Sequence, residues 1–221
     1  MRWLQNLCKM RIETFVFNPI MENTYLLIDE GSKECVIIDA GCYYDAEKVR
    51  LSSFIENGGL KLVRVLNTHL HLDHCFGNRY LTERYGVLPE ASEADEFLLP
   101  IMKSHCHSFG IPLNEDYQKL GGYLKEGDVI RFGESELSVI EVPGHSPGGL
   151  AFYCKADKVL FSGDSLFQGS IGRTDLDGGN FESLIHSLTK KITTLPTDTV
   201  VYPGHGGTTT IGDELQYNPY L

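Results

Sequence analysis

Four apolar runs in the chain each end in a residue that can bind a metal ion, and this repetition constrains the fold more than any other feature. The runs and their terminal residues are LVRVLNT at His69, ELSVIEVPG at His145, KVLFSG at Asp164 and TVVYPG at His205. Binding sites in open α/β folds lie beyond the carboxyl ends of parallel strands. A sheet whose strands run in parallel there would bring all four ends to one edge, so the pattern predicts an α/β protein with a site at that edge.

Strand and helix patterns alternate along the whole chain, and no linker of biased composition divides them. Strands are predicted over 11–17, 23–29, 34–41, 60–69 and 197–205, hairpins over 128–145 and 150–164, and helices over 45–59 (with Asp45 as N-cap), 74–86, 92–110 and 180–195. Pro100 lies inside the third of these helices and is expected to begin or kink it. We therefore expect a single domain over 10–221, preceded by a disordered N-terminal extension over 1–9.

The string T-H-L-H-L-D-H at 68–74 has four ligand-type side chains within six positions. Side chains two positions apart in an extended segment point the same way, so His69 and His71 can bind one ion together. His145 is expected to supply the third nitrogen. Three protein ligands leave a coordination position open for water, as in catalytic zinc sites.

A second ligand set is expected on the other side of the same string. Asp73 and His74 begin the next predicted helix, and together with His205 they can bind a second ion. Asp164 can bridge the two ions, so Asp73 and Asp164 are the expected catalytic carboxylates. An N-cap role for Asp73 remains an alternative, since aspartate is also a favoured capping residue.

The donor set of five histidines and two aspartates suits two divalent ions, most favourably zinc, with iron or manganese also accepted. The six cysteines are scattered, form no C-x-x-C pair and stand at no ligand position. They indicate reduced structural thiols rather than a disulfide framework or a thiolate zinc site.

Three further histidines are not expected to bind metal. His105 and His107 are two apart in a predicted helix, where such positions point to different faces, and no companion ligands follow them. We expect them to be surface or partly packed residues. His186 lies among apolar residues of an amphipathic helix and is expected to be structural.

The charge balance favours a small-molecule substrate. The formal net charge is −11, and the longest run of basic residues is the pair at 190–191. This excludes the basic surface that nucleic-acid or anionic-membrane binding requires. The N-terminal residues lack the apolar run of a secretory signal, so a cytoplasmic protein is expected. The oligomeric state is left open.

The motifs resemble those of the metallo-β-lactamase superfamily, and within it the short glyoxalase II-like hydrolases. The resemblance runs from about Met10 to the end of the chain. The matching motifs are T-H-L-H-L-D-H (68–74), P-G-H-S-P-G-G (143–149), F-S-G-D-S-L-F (161–167), G-S-I-G-R-T-D-L (169–176) and P-G-H-G (203–206). The resemblance implies a four-layer αβ/βα sandwich of two mixed sheets flanked by helices, with a dinuclear site at one edge of the sheets.

The resemblance also implies a reaction. In the glyoxalase II-like branch, a metal-bridging hydroxide attacks the thioester carbonyl of an acylated glutathione, so the expected substrate is a hydroxyacyl-glutathione or a similar acyl thiol. Two cations lower the pKa of bound water and stabilise the developing oxyanion. No G-x-S-x-G motif of a serine hydrolase is present.

The sequence departs from full-length glyoxalase II after the last ligand. Only residues 206–221 follow His205, whereas the parent enzyme resembles this chain plus a C-terminal helical domain that contacts glutathione. Arg173 is the expected substrate contact, with a loop-stabilising ion pair to Asp175 or Asp177 as the alternative. Residues 92–123, with Tyr117 and Tyr123, are expected to form the missing wall of the cleft.

A second function stays open on the same motifs. Persulfide dioxygenases have a comparable G-R-T-D stretch, but resemble a mononuclear iron site that uses one His-His-Asp subset. They also often keep the other ligand residues. The motifs over 167–175 and the C-terminal segment 209–221 are more similar to those of the hydrolases, which makes the dinuclear hydrolase the first expectation.

Overall fold

The apolar runs form two large β-sheets in the structure, a computed structural model that describes residues 10–113 and 115–221. The expected extension at 1–9 lies outside the described residues. The first sheet contains, in spatial order, β1 (Arg11–Phe17), β2 (Glu22–Ile28), β3 (Glu34–Ile38), β4 (Lys61–Leu66), β5 (Pro89–Ala91) and β6 (Gly122–Tyr123). The second contains β7 (Val129–Phe132), β8 (Ser135–Glu141), β9 (Leu150–Cys154), β10 (Val159–Gly163), β13 (Val200–Pro203) and β14 (Thr209–Thr210). The short strands β11 (Leu166–Phe167) and β12 (Ser170–Ile171) pair separately.

In the described part of the chain, five helices accompany the sheets: α1 (Asp45–Asn57), α2 (Asn78–Tyr85), α3 (Leu98–Ser108), α4 (Phe181–Lys190) and α5 (Ile211–Tyr217). The prediction that Asp45 caps α1 is wrong, because Tyr44 is the N-cap residue and Asp45 is the first helical residue. The carboxylate of Glu47 accepts hydrogen bonds from the backbone N–H groups of Tyr43 and Tyr44, at 2.8 and 3.0 Å. These bonds from the Glu47 carboxylate, which stands at the third helical position, fix the start of the helix without a side-chain cap from Asp45.

Both sheets are mixed, which gives the ligand-bearing strands a common direction. In the first sheet β3, β4, β5 and β6 are parallel, after two antiparallel pairings at the β1 edge. In the second, β8 and β10 are each antiparallel to β9, and β13 is parallel to β10. Strands β8, β10 and β13 therefore all end at the same edge of their sheet.

The core divides into layers that follow the alternation of side chains along the strands. Alternate residues of the two sheets, such as Leu27 and Val36 in the first and Val139, Phe152 and Phe161 in the second, pack against each other between the sheets. The opposite face of the first sheet packs on α1 and α2. The opposite face of the second packs on α4 and α5. The resulting order is the predicted four-layer αβ/βα sandwich, which is confirmed.

Helix α3 covers the segment that carries the histidine string. Leu70 and Leu72 pack with Leu98 and Met102 of α3 in a separate apolar cluster. The predicted helix over 92–110 is divided into a 3₁₀ turn at Glu93–Asp95 and α3, and Pro100 lies in the first turn of α3, where proline is tolerated. Within the described part of the chain, no helix is long and apolar enough to cross a membrane.

Candidate metal centre

The seven predicted ligands lie together, but they come from two sheets rather than from one. His69 and His71 are in the loop after β4 of the first sheet. His145, Asp164 and His205 follow β8, β10 and β13 of the second sheet. The expectation that one sheet edge brings all four strand ends together is therefore wrong in this respect. The ends meet because the sheets pack face to face with these edges adjacent.

Asp73 and His74 lie in a 3₁₀ turn at Leu72–His74, and not at the start of a regular helix. Helix α2 begins only at Asn78, and it ends as predicted at Gly86, whose φ of 71° is left-handed. The intervening turn keeps Asp73 and His74 beside the preceding loop. It thereby gives the four ligand-type side chains of the string two different directions.

The first ligand set is formed by His69, His71 and His145, and their candidate ligand atoms lie within 4.8 Å of one another. Nδ1 of His71 and Nε2 of His145 are 2.9 Å apart. Nε2 of His69 is buried without any hydrogen-bond partner among the described residues. Buried polar atoms in native proteins nearly always have partners, so a convergent set of imidazole nitrogens with an orphaned member fits a cation.

The second ligand set is formed by Asp73, His74 and His205, again within 4.8 Å. Nε2 of His205 lies 3.1 Å from Oδ2 of Asp73, and Nε2 of His74 lies 3.6 Å from the same oxygen. His74 is fully buried, and its Nε2 also lacks a hydrogen-bond partner in the described structure. The geometry therefore brings together the residues that the sequence assigned to a second ion.

Asp164 lies between the two sets. Its Oδ2 is 3.7 Å from Nε2 of His145 and 3.5 Å from Nε2 of His205, and its Oδ1 is 3.5 Å from Nε2 of His74. One carboxylate thus faces a member of the first set and two members of the second. This is the position that the predicted bridging role requires.

Contacts behind the rings fix which nitrogen of each histidine faces the centre. The Nδ1 atoms of four rings are held by, respectively, Thr68 Oγ1 at 3.0 Å (His69), Asp39 Oδ2 at 3.0 Å (His74), the Arg173 carbonyl at 2.7 Å (His145) and the Met21 carbonyl at 3.2 Å (His205). Such outer contacts set the tautomer and orientation of metal-binding imidazoles. In all four rings, Nε2 is left to face the centre of the cluster.

The electrostatics differ between the two sets. Burial, and then the neighbouring His145, lowers the pKa of His71 to about 3, and burial together with the nearby imidazoles lowers the pKa of His69 well below its ordinary value. Burial also lowers the pKa of His74, but the carboxylates of Asp73 and Asp164 outweigh it and raise that pKa well above its ordinary value. His69 and His71 are therefore held in the neutral form that binds metal, whereas the second set is built around carboxylates.

Two buried carboxylates that organise the site were not identified from the sequence. Asp39 follows β3 and contacts His74. Asp95 accepts hydrogen bonds from Leu70 N (3.2 Å), Ser146 Oγ (2.7 Å) and Gly148 N (2.5 Å), which joins the loop of the first sheet to the loop after β8. Asp39 comes directly after an apolar strand, as Asp164 does, so the sequence pattern could have identified it. The residues around Asp95 show no such pattern.

The comparisons with known proteins agree with this geometry. The sequence profile described as the metallo-beta-lactamase superfamily matches residues 18–205, which include all seven ligands. The chain belongs to this superfamily. Among its relatives, the hydroxyacylglutathione hydrolase GloC of Haemophilus influenzae is 36% identical over 213 residues, which cover 96% of this chain and 98% of the relative.

Two solved structures are also similar to this chain. The crystal structure of the BLEG-1 B3 metallo-beta-lactamase is 34% identical with a TM-score of 0.85, and the match covers 96% of this chain and 99% of that one. The crystal structure of TTHA1623 in a di-iron-bound form is 33% identical with a TM-score of 0.83, covering 95% of this chain and 100% of that one. The superfamily fold is thus established for this chain, and its histidine and aspartate clusters suggest that it binds divalent metal ions. The names of these relatives state different activities or metals.

In the present protein, the candidate metal centre opens into a cavity of about 300 Å³. Its lining residues outside the ligand sets are Ile20, Leu72, His105, Phe109, Arg173, Asp175, Leu176 and Asp177. Arg173 pairs with both carboxylate oxygens of Asp175, at 2.7 and 2.8 Å, which is the loop-stabilising alternative that the sequence left open. A substrate contact by Arg173 remains a prediction.

The expected cleft wall over 92–123 is only partly as predicted. The segment does line the cavity, but through His105 and Phe109. Tyr123 lies on β6 and donates a hydrogen bond to Glu96, and Tyr117 lines a different depression. His107 and His186 are exposed, and among the described residues they, like His105, belong to no cluster of possible metal ligands.

Proposed function

We propose that the protein is a dinuclear metal-dependent hydrolase of thioesters, with a hydroxyacyl-glutathione or a similar acyl thiol as substrate. One observation carries the proposal: two three-residue ligand sets each have members within 3.7 Å of the carboxylate of Asp164. The 36% identity to the hydroxyacylglutathione hydrolase GloC supports the choice of thioester.

The donor set fits two divalent ions, and we propose zinc as the principal metal. His69, His71 and His145 would hold one ion, Asp73, His74 and His205 the other, and Asp164 both. Two such ions supply a water-derived nucleophile at neutral pH and polarise a carbonyl. Since TTHA1623 was solved with two irons, an iron-loaded form is a direct competitor of the zinc form.

The described residues that line the cavity offer no side-chain nucleophile for acyl transfer, which supports water as the nucleophile. Among the described residues that line it there is no serine, threonine, cysteine or lysine, so no side chain of the kinds that usually form acyl intermediates is in reach. The buried cysteine nearest in sequence to the ligands, Cys75, has its thiol directed to the His69 carbonyl, and burial raises its pKa well above the ordinary value. The chain's own contribution is therefore to hold the ions and to position the substrate.

Arg173 is the proposed contact for a substrate carboxylate. Its guanidinium already binds a carboxylate in bidentate fashion, that of Asp175, and both side chains are more than half exposed. A carboxylate on the substrate has the same geometry and can replace Asp175 at little cost, because an exposed ion pair contributes only about 0–1 kcal/mol.

We further propose that the partner molecule is a small thioester in the cytoplasm, and not a nucleic acid or a membrane. The net charge of −11 supports this, because a polyanion would be repelled.

The decisive experiment combines metal quantification with three assays on the purified protein: hydrolysis of S-lactoylglutathione, oxygen uptake with glutathione persulfide, and hydrolysis of a chromogenic cephalosporin. We expect two metal ions per chain and turnover of the thioester. One iron per chain with oxygen uptake would instead identify a persulfide dioxygenase. Hydrolysis of the cephalosporin without turnover of the thioester would instead identify a β-lactamase, the activity stated in the name of BLEG-1.

A further inference from the structure

The cavity has a floor and a rim that differ in exposure. The ligands that line it are largely buried, with Asp73 and His145 only 7% and 5% exposed. His105, in the last turn of α3, and Asp177, in the loop before α4, line the same cavity with side chains that are 30% and 58% exposed. These two residues therefore form part of the rim, above the metal centre.

His105 and Asp177 form one polar unit across two chain segments. Nε2 of His105 lies 3.0 Å from Oδ2 of Asp177. Within the described residues, Asp177 has no other ion-pair partner, whereas both oxygens of the neighbouring Asp175 are bound by Arg173. Asp177 is thus the rim carboxylate with an oxygen available to a ligand.

The size of the cavity indicates which part of a thioester meets this rim. A volume of about 300 Å³ lies at the lower end of the range for ligand pockets. The thioester carbonyl has to reach the floor, where the ligands converge, and the acyl group fills the space beside it. A peptide-sized thiol carrier is too large to enter as well, so it has to lie across the rim.

We propose that His105 and Asp177 select the thiol carrier of the substrate. Asp177 accepts a hydrogen bond from a cationic amine of the carrier, and His105 holds the carboxylate in position for it. The carrier class is therefore a thiol with an ammonium group, such as a γ-glutamyl peptide. This inference rests on the proposed thioester hydrolase function.

The test compares two lactoyl thioesters that differ only in the carrier: S-lactoylglutathione, which has an ammonium group, and S-lactoyl-N-acetylcysteamine, which has none. For Asp177→Asn we expect KM to rise about tenfold with the glutathione thioester and less than about twofold with the other. His105→Gln should raise KM in the same direction by a smaller factor. The metal content and kcat should not change.

The matched control is His107→Ala, an exposed histidine of the same helix that does not line the cavity. It should leave both KM values as in the unaltered protein. An equal rise of KM for both thioesters in Asp177→Asn, or no rise for either, would overturn the carrier-selecting role.

A binding measurement separates this inference from the proposed function. S-methylglutathione is not hydrolysed, and calorimetry on the metal-loaded protein reports its affinity whatever the activity. Asp177→Asn should weaken its binding about tenfold, and equal affinity in the two proteins would refute the inference. Failure of the proposed function has a different signature, namely no turnover of either thioester by the unaltered protein.

Discussion

Asp39 Oδ2 lies 3.0 Å from Nδ1 of His74, and both side chains are buried. The same carboxylate accepts hydrogen bonds from the backbone N–H and the hydroxyl of Thr68, both at 2.7 Å. Oγ1 of Thr68 is in turn 3.0 Å from Nδ1 of His69. One carboxylate outside the two ligand sets thus orients a histidine of each, directly for His74 and through Thr68 for His69.

Asp39→Asn is expected to weaken metal binding without removing a ligand. The amide keeps the shape of the side chain but loses the charge that favours Nε2 of His74 as the metal-binding nitrogen. Loss of such an outer contact typically lowers metal affinity roughly 10–100-fold. Competition with a chromogenic chelator measures the effect. Asp198→Asn, at an exposed aspartate paired with Lys158, is the control and should keep the affinity of the unaltered protein.

The convergence of the seven candidate ligands could be predicted from the sequence, and the contacts behind them could not. A histidine or aspartate that follows an apolar, strand-like run can be recognised in the sequence. Parallel strands end at the same edge of a sheet, so such residues are expected to lie close together. The carbonyls of Met21 and Arg173, which hold His205 and His145, have no side-chain signature at all. Asp39 has a positive φ of 55°, which only the tertiary structure reveals as a constrained position.

Gly204 of the P-G-H-G motif is expected to tolerate no side chain. A Cβ atom there would lie 2.2 Å from Oδ1 of Asp164 and 2.7 Å from Cε1 of His74. Both neighbours belong to the candidate ligand sets, and Asp39 holds the ring of His74 in place, so Gly204→Ala should displace the Asp164 carboxylate from its position between the two sets. We expect loss of at least one metal equivalent by elemental analysis. Gly207→Ala is the comparison, because its backbone is not left-handed and a Cβ atom there meets only Oε1 of Gln168, at an ordinary contact distance of 3.9 Å.

Asp164→Ala is expected to lose metal and activity together. The side chain faces both ligand sets, and no other carboxylate among the described residues does so. The substitution should lower the metal content below two ions per chain and reduce kcat by at least about 10²-fold, the scale of losing one charge-stabilising group. His186→Ala, at an exposed histidine of α4, should change neither quantity. Full activity with both ions bound would contradict the bridging role.

Arg173→Ala distinguishes substrate binding from loop stabilisation. If Arg173 binds a substrate carboxylate in the ground and transition states alike, KM should rise roughly tenfold for a carboxylate-bearing thioester, with kcat and metal content unchanged. If Arg173 only pairs with Asp175, the melting temperature should fall slightly and KM should not move. Steady-state kinetics and thermal unfolding of the same sample give both readouts. Arg131→Ala, at an exposed arginine on β7, is the matched control.

Asp29 joins the two sheets away from the metal centre. It follows β2 and accepts hydrogen bonds from the backbone and hydroxyl of Ser32, both at 2.8 Å, and from Glu134 N at 3.0 Å and Ser135 Oγ at 3.1 Å in the β7–β8 hairpin. Burial raises the pKa of Asp29, but these hydrogen bonds outweigh burial and lower the pKa below its ordinary value.

A lowered pKa in the folded state makes the contribution of Asp29 depend on pH with a defined sign. The unfolded chain takes up the proton first as pH falls, so the stabilisation is complete above the unfolded pKa of about 3.9 and is lost as pH falls through the folded pKa. Asp29→Asn should therefore lower the free energy of unfolding by about 2 kcal/mol near pH 7. Urea unfolding at a series of pH values should show this difference shrinking below about pH 4. A difference that is constant down to pH 2 would mean that Asp29 acts through shape and packing, and that its charge contributes nothing.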